Sequence, residues 1–323
     1  MSTVLLMGCE ETEDTPLDEP ETLDLSAFPD FITSNENYFI TRIGSVPEVE
    51  IESYHLIIDG SVGHPDTLEL SELNDLPQQE VLLTIECIGN PGNGSLVSTA
   101  RWRGFDLYQL LSSKGISSAA EAVKVHCADG YYVTYPMDQV QSGSMIGALH
   151  MNDEILPVLH GYPLRIIIPG YYGVKQPAWV TRLEVLEQAG DDFWNQYNWD
   201  TSPSMPIDSK IIFPWNGHSY QVGDTLEVRG TAYGGRKVAS ISITLDDGIS
   251  WVPSTILKQE EMDHVWVFWQ AQVVLGEAGQ IFIRSRAIDS SGNIQPMHDD
   301  DHLDGTDLWG GVRITVADSS QAP

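Results

Sequence analysis

Cys87 lies where a reactive or metal-binding side chain is expected. It ends an apolar, β-branched run that starts at Val81, and it precedes a loop, residues 89–94, with the sequence Gly-Asn-Pro-Gly-Asn-Gly. A loop of small turn-forming residues lets a ligand approach the backbone closely. A thiolate there suits a soft metal or a nucleophilic role, whereas a structural cysteine lies more often in the middle of a strand. The sequence alone leaves both interpretations open, because no histidine partner can be assigned.

A second group of candidate residues carries positive or potentially positive charge. His160, Arg165 and Lys175 fall within sixteen positions and flank a short proline-bounded strand and a glycine-containing loop. Cationic donors combined with exposed backbone N–H groups form phosphate-binding sites. Ordinary ion pairs with the abundant carboxylates are the alternative, and composition alone favours them.

The composition excludes several classes of protein. The 323 residues contain 16 Lys and Arg against 47 Asp and Glu, which gives a net charge of −31. Nucleic acid and an anionic membrane surface would repel such a chain. Disorder does not fit a chain with 41% hydrophobic residues and 9 Trp. The length predicts about two domains, and no apolar run approaches the ~20 residues of a membrane span.

The acidic residues are concentrated at the start of the chain. No Lys or Arg precedes Arg42, and the acidic, proline-containing stretch predicts a flexible tail over residues 1–36. Residues 4–9, a short apolar stretch ending in Gly-Cys, resemble the lipobox of bacterial lipoproteins, in which the cysteine is lipidated. This predicts a periplasmic or cell-envelope lipoprotein that touches the membrane only through Cys9. A frayed N-terminus is the alternative, because the charged start of an export signal is missing.

Strands and one short helix are the elements that must position the candidate residues in the first 200 positions. Alternation before an Asp-Gly turn predicts a strand at 54–60, and an apolar, β-branched run predicts another at 81–87. Further strands are predicted at 123–125, at the proline-bounded segment 163–169 and at 179–186. The spacing of three leucines predicts a helix over residues 106–114, capped by Gly115. Three cysteines allow one disulfide at most, so Cys87 and Cys127 either form a bridge or provide one thiolate ligand and one structural thiol.

Beyond the turn-rich residues 200–206, only strands and turns are predicted. The strands are expected at 225–229, 239–245, 265–274, 280–287 and 311–316. Short strands at regular spacing, with a hairpin-type turn at Asp246-Asp247-Gly248, are typical of a β-sandwich of immunoglobulin type.

The order of several motifs resembles the sulfite oxidase family of molybdopterin enzymes. In the first half these motifs are Phe39 to Arg42, Glu86 to Asn90, Ser98 to Leu107, Asp129 to Tyr131, Met151 to Pro157 and His160 to Arg165. In the second half they are Gly230 to Gly235, Leu245 to Trp251 and Arg286 to Pro296. The resemblance covers about residues 37–317. It implies an α+β protein with a mixed α/β, molybdopterin-binding catalytic domain at 37–200 and an all-β immunoglobulin-like dimerisation domain at 204–317, and hence a homodimer.

The resemblance also implies roles for individual residues. Cys87 would be the protein thiolate on the molybdenum of a molybdopterin cofactor, and that cofactor carries the chemistry of two-electron oxygen-atom transfer. Further residues would hold the pterin and its phosphate, namely Phe39, Arg42, Asp129, His160, Arg165, Tyr172 and Lys175. For Asp129, a role in an Asp-Gly turn is the alternative.

The sequence differs from the family at positions that are expected to bind the substrate. Animal and plant enzymes carry arginines in the loop after the cysteine, whereas residues 91–94 carry no positive charge here. The family's active-site tyrosine falls at Trp199 by spacing, with Tyr197 two residues before it. An indole donates a hydrogen bond but cannot relay a proton. Arg42 and, across the domain boundary, Arg236 or the lysine after it remain as candidates to bind an oxyanion.

Three functional hypotheses follow. The first is a molybdenum oxidoreductase that acts on sulfite or a similar small oxyanion. The second keeps the cofactor but assigns another substrate, such as a sulfoxide. The third is a cofactor-free binding or scaffold protein, which Cys87 and the candidate phosphate site argue against. No haem signature appears, so we expect a separate electron acceptor, such as a basic cytochrome c-type protein attracted by the negative surface. The alternative is that the acidity only aids solubility.

Overall fold

The structure, a computed structural model, describes residues 25–201, 204–299, 303–305 and 308–318. Cys9 and the other residues of the lipobox-like segment lie outside these ranges, so the predicted anchor stays a prediction. Within the described ranges, no helix combines the length and the apolar character needed to cross a membrane.

The described chain is mostly β, with short helices. Strands β1–β10 of the first half are His55–Gly60, Asp66–Glu69, Gln78–Glu86, Val97–Asp106, Ala122–Cys127, Tyr132–Pro136, Ile146–Met151, Glu154–Ile155, Arg165–Ile167 and Val180–Leu186. Strands β11–β19 of the second half are Asp208–Phe213, Ser219–Gln221, Thr225–Tyr233, Val238–Thr244, Val252–Pro253, Thr255–Lys258, Val267–Val274, Gly279–Asp289 and Gly311–Ala317. Helices α1–α3 are Leu70–Asp75, Leu107–Ser113 and Met137–Gln141.

Two sheets build the first half. One has the strand order β2-β1-β10-β5-β6, with β1 and β10 parallel, and the other has the order β3-β4-β7-β8, with β9 paired to β7. Helix α2 confirms the helix predicted from the leucine spacing. The Asp106 carboxylate caps it by accepting from the Gln109 N–H at 2.8 Å, and the three leucines are buried. Gly115 follows with φ of +71°, a conformation that favours glycine after a helix end.

Two further sheets form the second half. Their orders are β11-β13-β17-β16 and β12-β19-β18-β14-β15. Both sheets contribute to one apolar core, with Val228 and Trp269 from the first and Ile283 and Ile314 from the second. The predicted strands are present, and the β character of this half is confirmed for its described residues. The immunoglobulin-like label stays a prediction.

The last part of the predicted flexible tail is packed against the rest of the chain. Phe28 stacks on Phe268 with ring centroids 4.9 Å apart, and the Phe31 carbonyl accepts a hydrogen bond from the Trp266 indole at 2.9 Å. Aromatic burial of this kind offsets the entropy lost when a segment becomes ordered. The expectation for residues 25–36 is therefore corrected, because it rested on charge and overlooked these rings.

The two halves meet at β3, the strand that leads to Cys87. The Thr84 N–H donates to the His264 carbonyl at 2.8 Å, and the Thr84 hydroxyl accepts from the Trp266 N–H at 2.8 Å. The end of β3 is therefore fixed by contacts from the second half as well as by its own sheet.

Candidate cofactor site

An open cavity brings together most of the residues singled out from the sequence. It is lined by Phe39, Ile40, Thr41, Arg42, Ile43, Cys87, Ile88, Gly89, Asp129, Tyr131, Leu159, His160, Arg165, Gly173, Val174, Gln176, Ala178, Trp179, Trp194 and Trp199. The wall thus combines the segment before β1, the start of the loop after β3, the β5–β6 turn, both flanks of β9 and the segment after β10. The lining does not include Tyr172, Lys175, Tyr197 or Arg236.

The loop that carries Cys87, residues 87–96, presents its thiol at the cavity wall. The Cys87 N–H donates to the Leu96 carbonyl at 3.0 Å, so the two ends of the loop are joined. Burial raises the pKa of the Cys87 thiol, while hydrogen bonds from the Gly89 N–H and the Thr41 side chain oppose this shift. A metal cation at the sulfur would favour the thiolate further, because thiolate ligation releases the proton.

The second described cysteine has a different environment. Cys127 is buried in the core of the first half, and both it and Cys87 are free thiols. The disulfide considered from the sequence is therefore not formed. Burial, together with Asp129, raises the pKa of Cys127 well above that of an ordinary thiol, so it stays protonated and inert.

Two arginines reach the cavity in different ways. Arg42 is exposed, and no carboxylate partner is found for it within the described residues. Arg165 is fixed, since its Nε donates to the Gln176 carbonyl at 3.2 Å and its Nη1 to the His160 carbonyl at 3.1 Å. The guanidinium also lies over the Trp102 ring, 5.1 Å from its centre. Two of its five N–H donors are used in this way, which leaves others for an anionic ligand.

His160 lines the cavity as a neutral ring. Its Nε2 lies 2.6 Å from the Asn35 carbonyl, an acceptor only, so this nitrogen carries the proton. Burial lowers the pKa of His160, the Asn35 bond opposes the shift, and Arg165 lowers it further. The ring therefore offers its Nδ1 as an acceptor near neutral pH and adds no positive charge.

Lys175, the third predicted cationic ligand of the phosphate, does not line the cavity, and its ligand role stays a prediction. Its ammonium group is buried and pairs with Asp192 at 2.7 Å, and it also donates to the Thr134 carbonyl at 3.2 Å. The Asp192 carboxylate in turn accepts from the Thr201 hydroxyl at 2.5 Å. The charge of Lys175 is thus compensated inside the protein.

Trp199 lines the cavity, whereas Tyr197 does not. A 3-10 helix, Phe193–Tyr197, ends at Asn198 in the left-handed conformation, and this reversal brings Trp199 into the cavity. A Cβ added to Gly89 would lie 3.8 Å from the Trp199 ring, so the indole packs beside the loop that carries Cys87. Tyr197 is 54% exposed.

The other two predicted residues lie elsewhere. Tyr172 is buried in an apolar cluster with Ile88 and Trp266. Arg236 lies in the turn between β13 and β14, where it lowers the pKa of His264. No residue of the β13–β14 turn is part of the cavity lining.

Several polar or aromatic residues of the cavity were not among the predicted site residues, including Thr41, Tyr131, Gln176, Trp179 and Trp194. The tryptophans were detectable as clustered indoles in the segment 179–199. Trp179 has φ of +54°, which is costly for a bulky residue, and its indole N–H is held by the Val158 carbonyl at 2.9 Å. Gln176 belongs to no recognisable motif, so the sequence did not point to it. In the structure its side-chain amide bonds both the N–H and the carbonyl of Ile168.

The side chains of the cavity fit a sulfur-bound cofactor that carries its own negative charge. Within the described residues no group of three His, Cys, Asp or Glu side chains could hold a metal ion. The wall instead offers one thiol, two guanidinium groups and several aromatic faces. This donor set suits a group that brings most of its own metal ligands and is held by arginine.

Comparisons with known proteins agree with this donor set. Residues 43–194 match the family model described as an oxidoreductase molybdopterin binding domain. Residues 200–314 match the model described as a Mo-co oxidoreductase dimerisation domain.

Several curated proteins are similar over most of the chain. The mitochondrial sulfite oxidase of Drosophila melanogaster is 31% identical over 82% of this chain and 55% of that protein. Sulfite oxidase of Gallus gallus is 28% identical over 82% of this chain and 68% of its own length. A nitrate reductase of Phaseolus vulgaris is 29% identical over 82% of this chain but only 37% of its own. The chain thus spans little more than half of the first of these relatives.

A solved structure has the same fold. The sulfane dehydrogenase SoxCD of Paracoccus pantotrophus superimposes with a TM-score of 0.80 at 20% identity, over 90% of this chain and 85% of that chain. At this identity the match speaks for the fold alone.

Proposed function

Because this chain belongs to the sulfite oxidase family of molybdopterin-dependent oxidoreductases, we propose that it catalyses a two-electron oxygen-atom transfer on a small oxyanion, and that this anion is sulfite. The observation that carries the proposal is the free Cys87 thiol on the wall of a cavity that also contains Arg42 and Arg165. The similarity to proteins named sulfite oxidase supports the choice of substrate.

Different residues of the cavity would bind different parts of the cofactor. Cys87 would bind the molybdenum, and the spare N–H groups of Arg165 would bind the anionic part of the pterin. The half-buried Asp129, whose pKa is raised by desolvation, and the Phe39 ring would border the pterin. When bound, the molybdenum cofactor supplies the two-electron redox chemistry of the oxygen transfer.

Arg42 and Trp199 would orient the substrate. An anion that enters the cavity meets the exposed Arg42 guanidinium without displacing an internal ion pair. The Trp199 indole can donate one hydrogen bond, and its ring, together with Trp179 and Trp194, would reduce the amount of water around a bound substrate. Excluding water strengthens each charge–dipole contact made there.

The same wall favours a second candidate, a less charged substrate such as a sulfoxide. Three indoles line the cavity, and the loop after Cys87 has no arginine. A sulfite dianion normally needs several charged donors to offset its desolvation, whereas a neutral sulfoxide needs few. This candidate keeps the cofactor and changes only the group that accepts or gives the oxygen atom.

The proposal also includes an electron acceptor, an oligomeric state and a cellular location. We propose that electrons pass to a separate basic carrier, which the net charge of −31 would attract. A homodimer is supported by the match of residues 200–314 to a dimerisation domain. A periplasmic or cell-envelope location rests on the lipobox-like sequence before Cys9.

The proposal is tested on full-length protein from the native host. Molybdenum and pterin content is measured first, and then turnover of sulfite with ferricyanide and of dimethyl sulfoxide with a reduced viologen. We expect stoichiometric molybdenum and faster turnover of sulfite. A molybdenum-loaded sample that turns over only the sulfoxide would support the second candidate, and a sample without molybdenum or pterin would refute both.

A further inference from the structure

A buried polar cluster joins the loop that carries Cys87 to the second half of the chain. Its members, which we call the Glu86 cluster, are Glu86, Asn90, Asp208, Lys210, Tyr233 and Gln295, and all are at most 3% exposed. Glu86 directly precedes Cys87, whereas four of the six residues belong to the second half.

Three donors converge on one oxygen of Glu86. Its Oε1 accepts from the Asn90 amide at 2.8 Å, from the Tyr233 hydroxyl at 2.9 Å and from the Lys210 ammonium at 3.0 Å. Three donors in different directions leave the carboxylate a single position. The backbone of Glu86, and with it the adjacent Cys87, is therefore fixed by two residues of the second half.

Lys210 reaches the loop at a second point. Besides Glu86 it pairs with Asp208 at 3.1 Å, and it donates to the Pro91 carbonyl, inside the loop, at 3.3 Å. Asp208 is held in turn by the Gln295 amide at 2.6 Å. Burial alone would lower the pKa of Lys210, but Asp208 and Glu86 outweigh this and raise it, so Lys210 keeps its charge.

Asn93 provides an attachment at the far side of the loop. Its side-chain amide donates to the Ile211 carbonyl at 3.0 Å, and its Oδ1 accepts from the Ile211 N–H at 2.9 Å. This side chain therefore pairs with β11 as a neighbouring strand would. The second half thus holds the loop at its start, middle and tip. Internal bonds, such as the one from the Cys87 N–H to the Leu96 carbonyl and the one from the Gly94 N–H to the Pro91 carbonyl, complete its conformation.

The cost of this arrangement indicates that position matters here. Burying one ammonium and two carboxylates costs free energy, and apolar side chains of similar volume would often stabilise an interface as well or better. What charged groups add is a single geometry, since each must meet its partners. A metal ligand must be placed to within a fraction of an ångström, and errors of about 1 Å can cost ~10²-fold in rate.

We propose that Tyr233, Lys210 and Asp208 are positioning residues for the Cys87 sulfur, so that the second half of the chain sets the geometry of the cofactor site in addition to any role in assembly. This inference rests on the proposed function in one respect, since it takes Cys87 as the thiolate that binds molybdenum. The placement of the sulfur by the second half holds with or without the metal.

The test compares two buried tyrosines. Tyr233→Phe removes one donor to Glu86, and Tyr54→Phe removes a similar buried hydrogen bond, to the Val180 carbonyl at 2.8 Å, in the core of the first half. For Tyr233→Phe we expect near-normal molybdenum content, a fall in kcat of about tenfold with little change in KM, and an altered electron paramagnetic resonance spectrum of half-reduced molybdenum. Tyr54→Phe is expected to keep the wild-type spectrum and kcat.

A second readout does not depend on the metal. The alkylation rate of Cys87 by iodoacetamide is followed by peptide mass spectrometry in full-length protein produced without cofactor. It should rise severalfold in Tyr233→Phe and stay at the wild-type value in Tyr54→Phe. Equal rates and equal spectra in the two variants would overturn the inference. If the wild type binds no molybdenum, the proposed function fails, and the alkylation rates still decide the positioning role. Asp208→Asn provides the same comparison if Tyr233→Phe does not fold.

Discussion

Cys87 combines a free thiol, a cavity position and a backbone held at both ends, and a substitution can separate its chemistry from its packing. Cys87→Ser changes little volume but replaces a soft sulfur by a hydroxyl, which is a poor ligand for molybdenum. We expect sulfite turnover and molybdenum content to fall more than about 100-fold. The free energy of unfolding should change by no more than about 1 kcal/mol, measured by denaturant titration.

Cys127→Ser is the matched control for that substitution. It places a hydroxyl in the core of the first half, where burial is complete enough to cost about 1–3 kcal/mol. Molybdenum content per folded molecule should stay at the wild-type value. Retained turnover in Cys87→Ser, or metal loss in both variants, would contradict the assigned role of Cys87.

Substitutions of Trp199 and Tyr197 are expected to have different effects on sulfite turnover. Trp199→Phe keeps a ring but removes the indole donor, and a hydrogen bond to a charged group is worth about 1.5–3 kcal/mol. We therefore expect kcat/KM for sulfite to fall about 10–100-fold. Tyr197→Phe removes an exposed hydroxyl outside the cavity and should leave the steady-state constants unchanged. The reverse order of effects would place the tyrosine, and not the indole, at the substrate.

His160 makes a prediction about pH and stability. Its folded-state pKa lies below the ordinary value of 6.5, chiefly through burial, against the Asn35 hydrogen bond and with Arg165 as the nearby positive charge. The unfolded chain therefore binds a proton first as the pH falls, and stability is lost below pH 6.5. His160→Gln keeps a donor for the Asn35 carbonyl without titrating. It should flatten the loss of unfolding temperature between about pH 7 and about pH 5.

For single residues, the sequence predicted which side chains line the cavity better than it predicted which charges are already paired inside the protein. Cys87, Arg42, Arg165 and Trp199 line the cavity as expected, because their motifs fix where they lie along the chain. The internal pairing of Lys175 was not foreseen, since its partner Asp192 lies seventeen positions away and only the fold brings the two together. No pattern in the sequence reveals that pairing.

Among the elements, the Lys175–Asp192 pair links the residues after β9 to the segment after β10. Lys175→Met leaves Asp192 buried without its cation, and breaking such a pair costs about 3–5 kcal/mol. Lys258→Met breaks a half-exposed pair with Glu260 and should cost less than about 1 kcal/mol. Denaturant titration measures both values.

The same variants decide between a structural and a ligand role for Lys175. A structural role predicts that Lys175→Met keeps the normal ratio of molybdenum to folded protein, because the ammonium does not line the cavity. A fall in that ratio with little loss of stability would instead restore Lys175 as a ligand of the phosphate.

Strands were easier to predict than their partners. Local hydrophobicity located β1, β3 and β10, because the burial of a strand follows from its own residues. Burial alternates along β1, whereas the last four residues of β3 are all buried. The parallel pairing of β1 with β10, which joins residues more than a hundred positions apart, was not predictable. A hydrophobic pattern indicates that a strand has a buried face, but it does not identify the strand that pairs with it.

For the whole molecule, the two halves are coupled at the residues where chemistry is expected. β3 is bonded to residues 264–266, and the loop that follows it is held by Lys210 and Ile211 of β11. A boundary near residue 200, which composition suggests, therefore separates two cores without separating two independent functions. Removal of the second half would delete four of the six residues of the Glu86 cluster, expose Glu86 and Asn90, and leave the loop around Cys87 without the supports that Lys210, Tyr233 and Ile211 provide.

The net charge of −31 leads to a prediction about electron transfer that depends on the sign of the acceptor. Attraction between unlike charges accelerates encounter by about 10–10³-fold at low ionic strength and is screened by salt. We expect the second-order rate with a basic cytochrome c to fall at least about tenfold between ~0.01 and ~0.3 M salt. With ferricyanide, an anion that the surface repels, the rate should rise over the same range. Stopped-flow measurement of both acceptors on one preparation cancels any effect of salt on sulfite oxidation itself. Equal salt dependence for the two acceptors would mean that the acidity serves solubility and does not guide the electron acceptor.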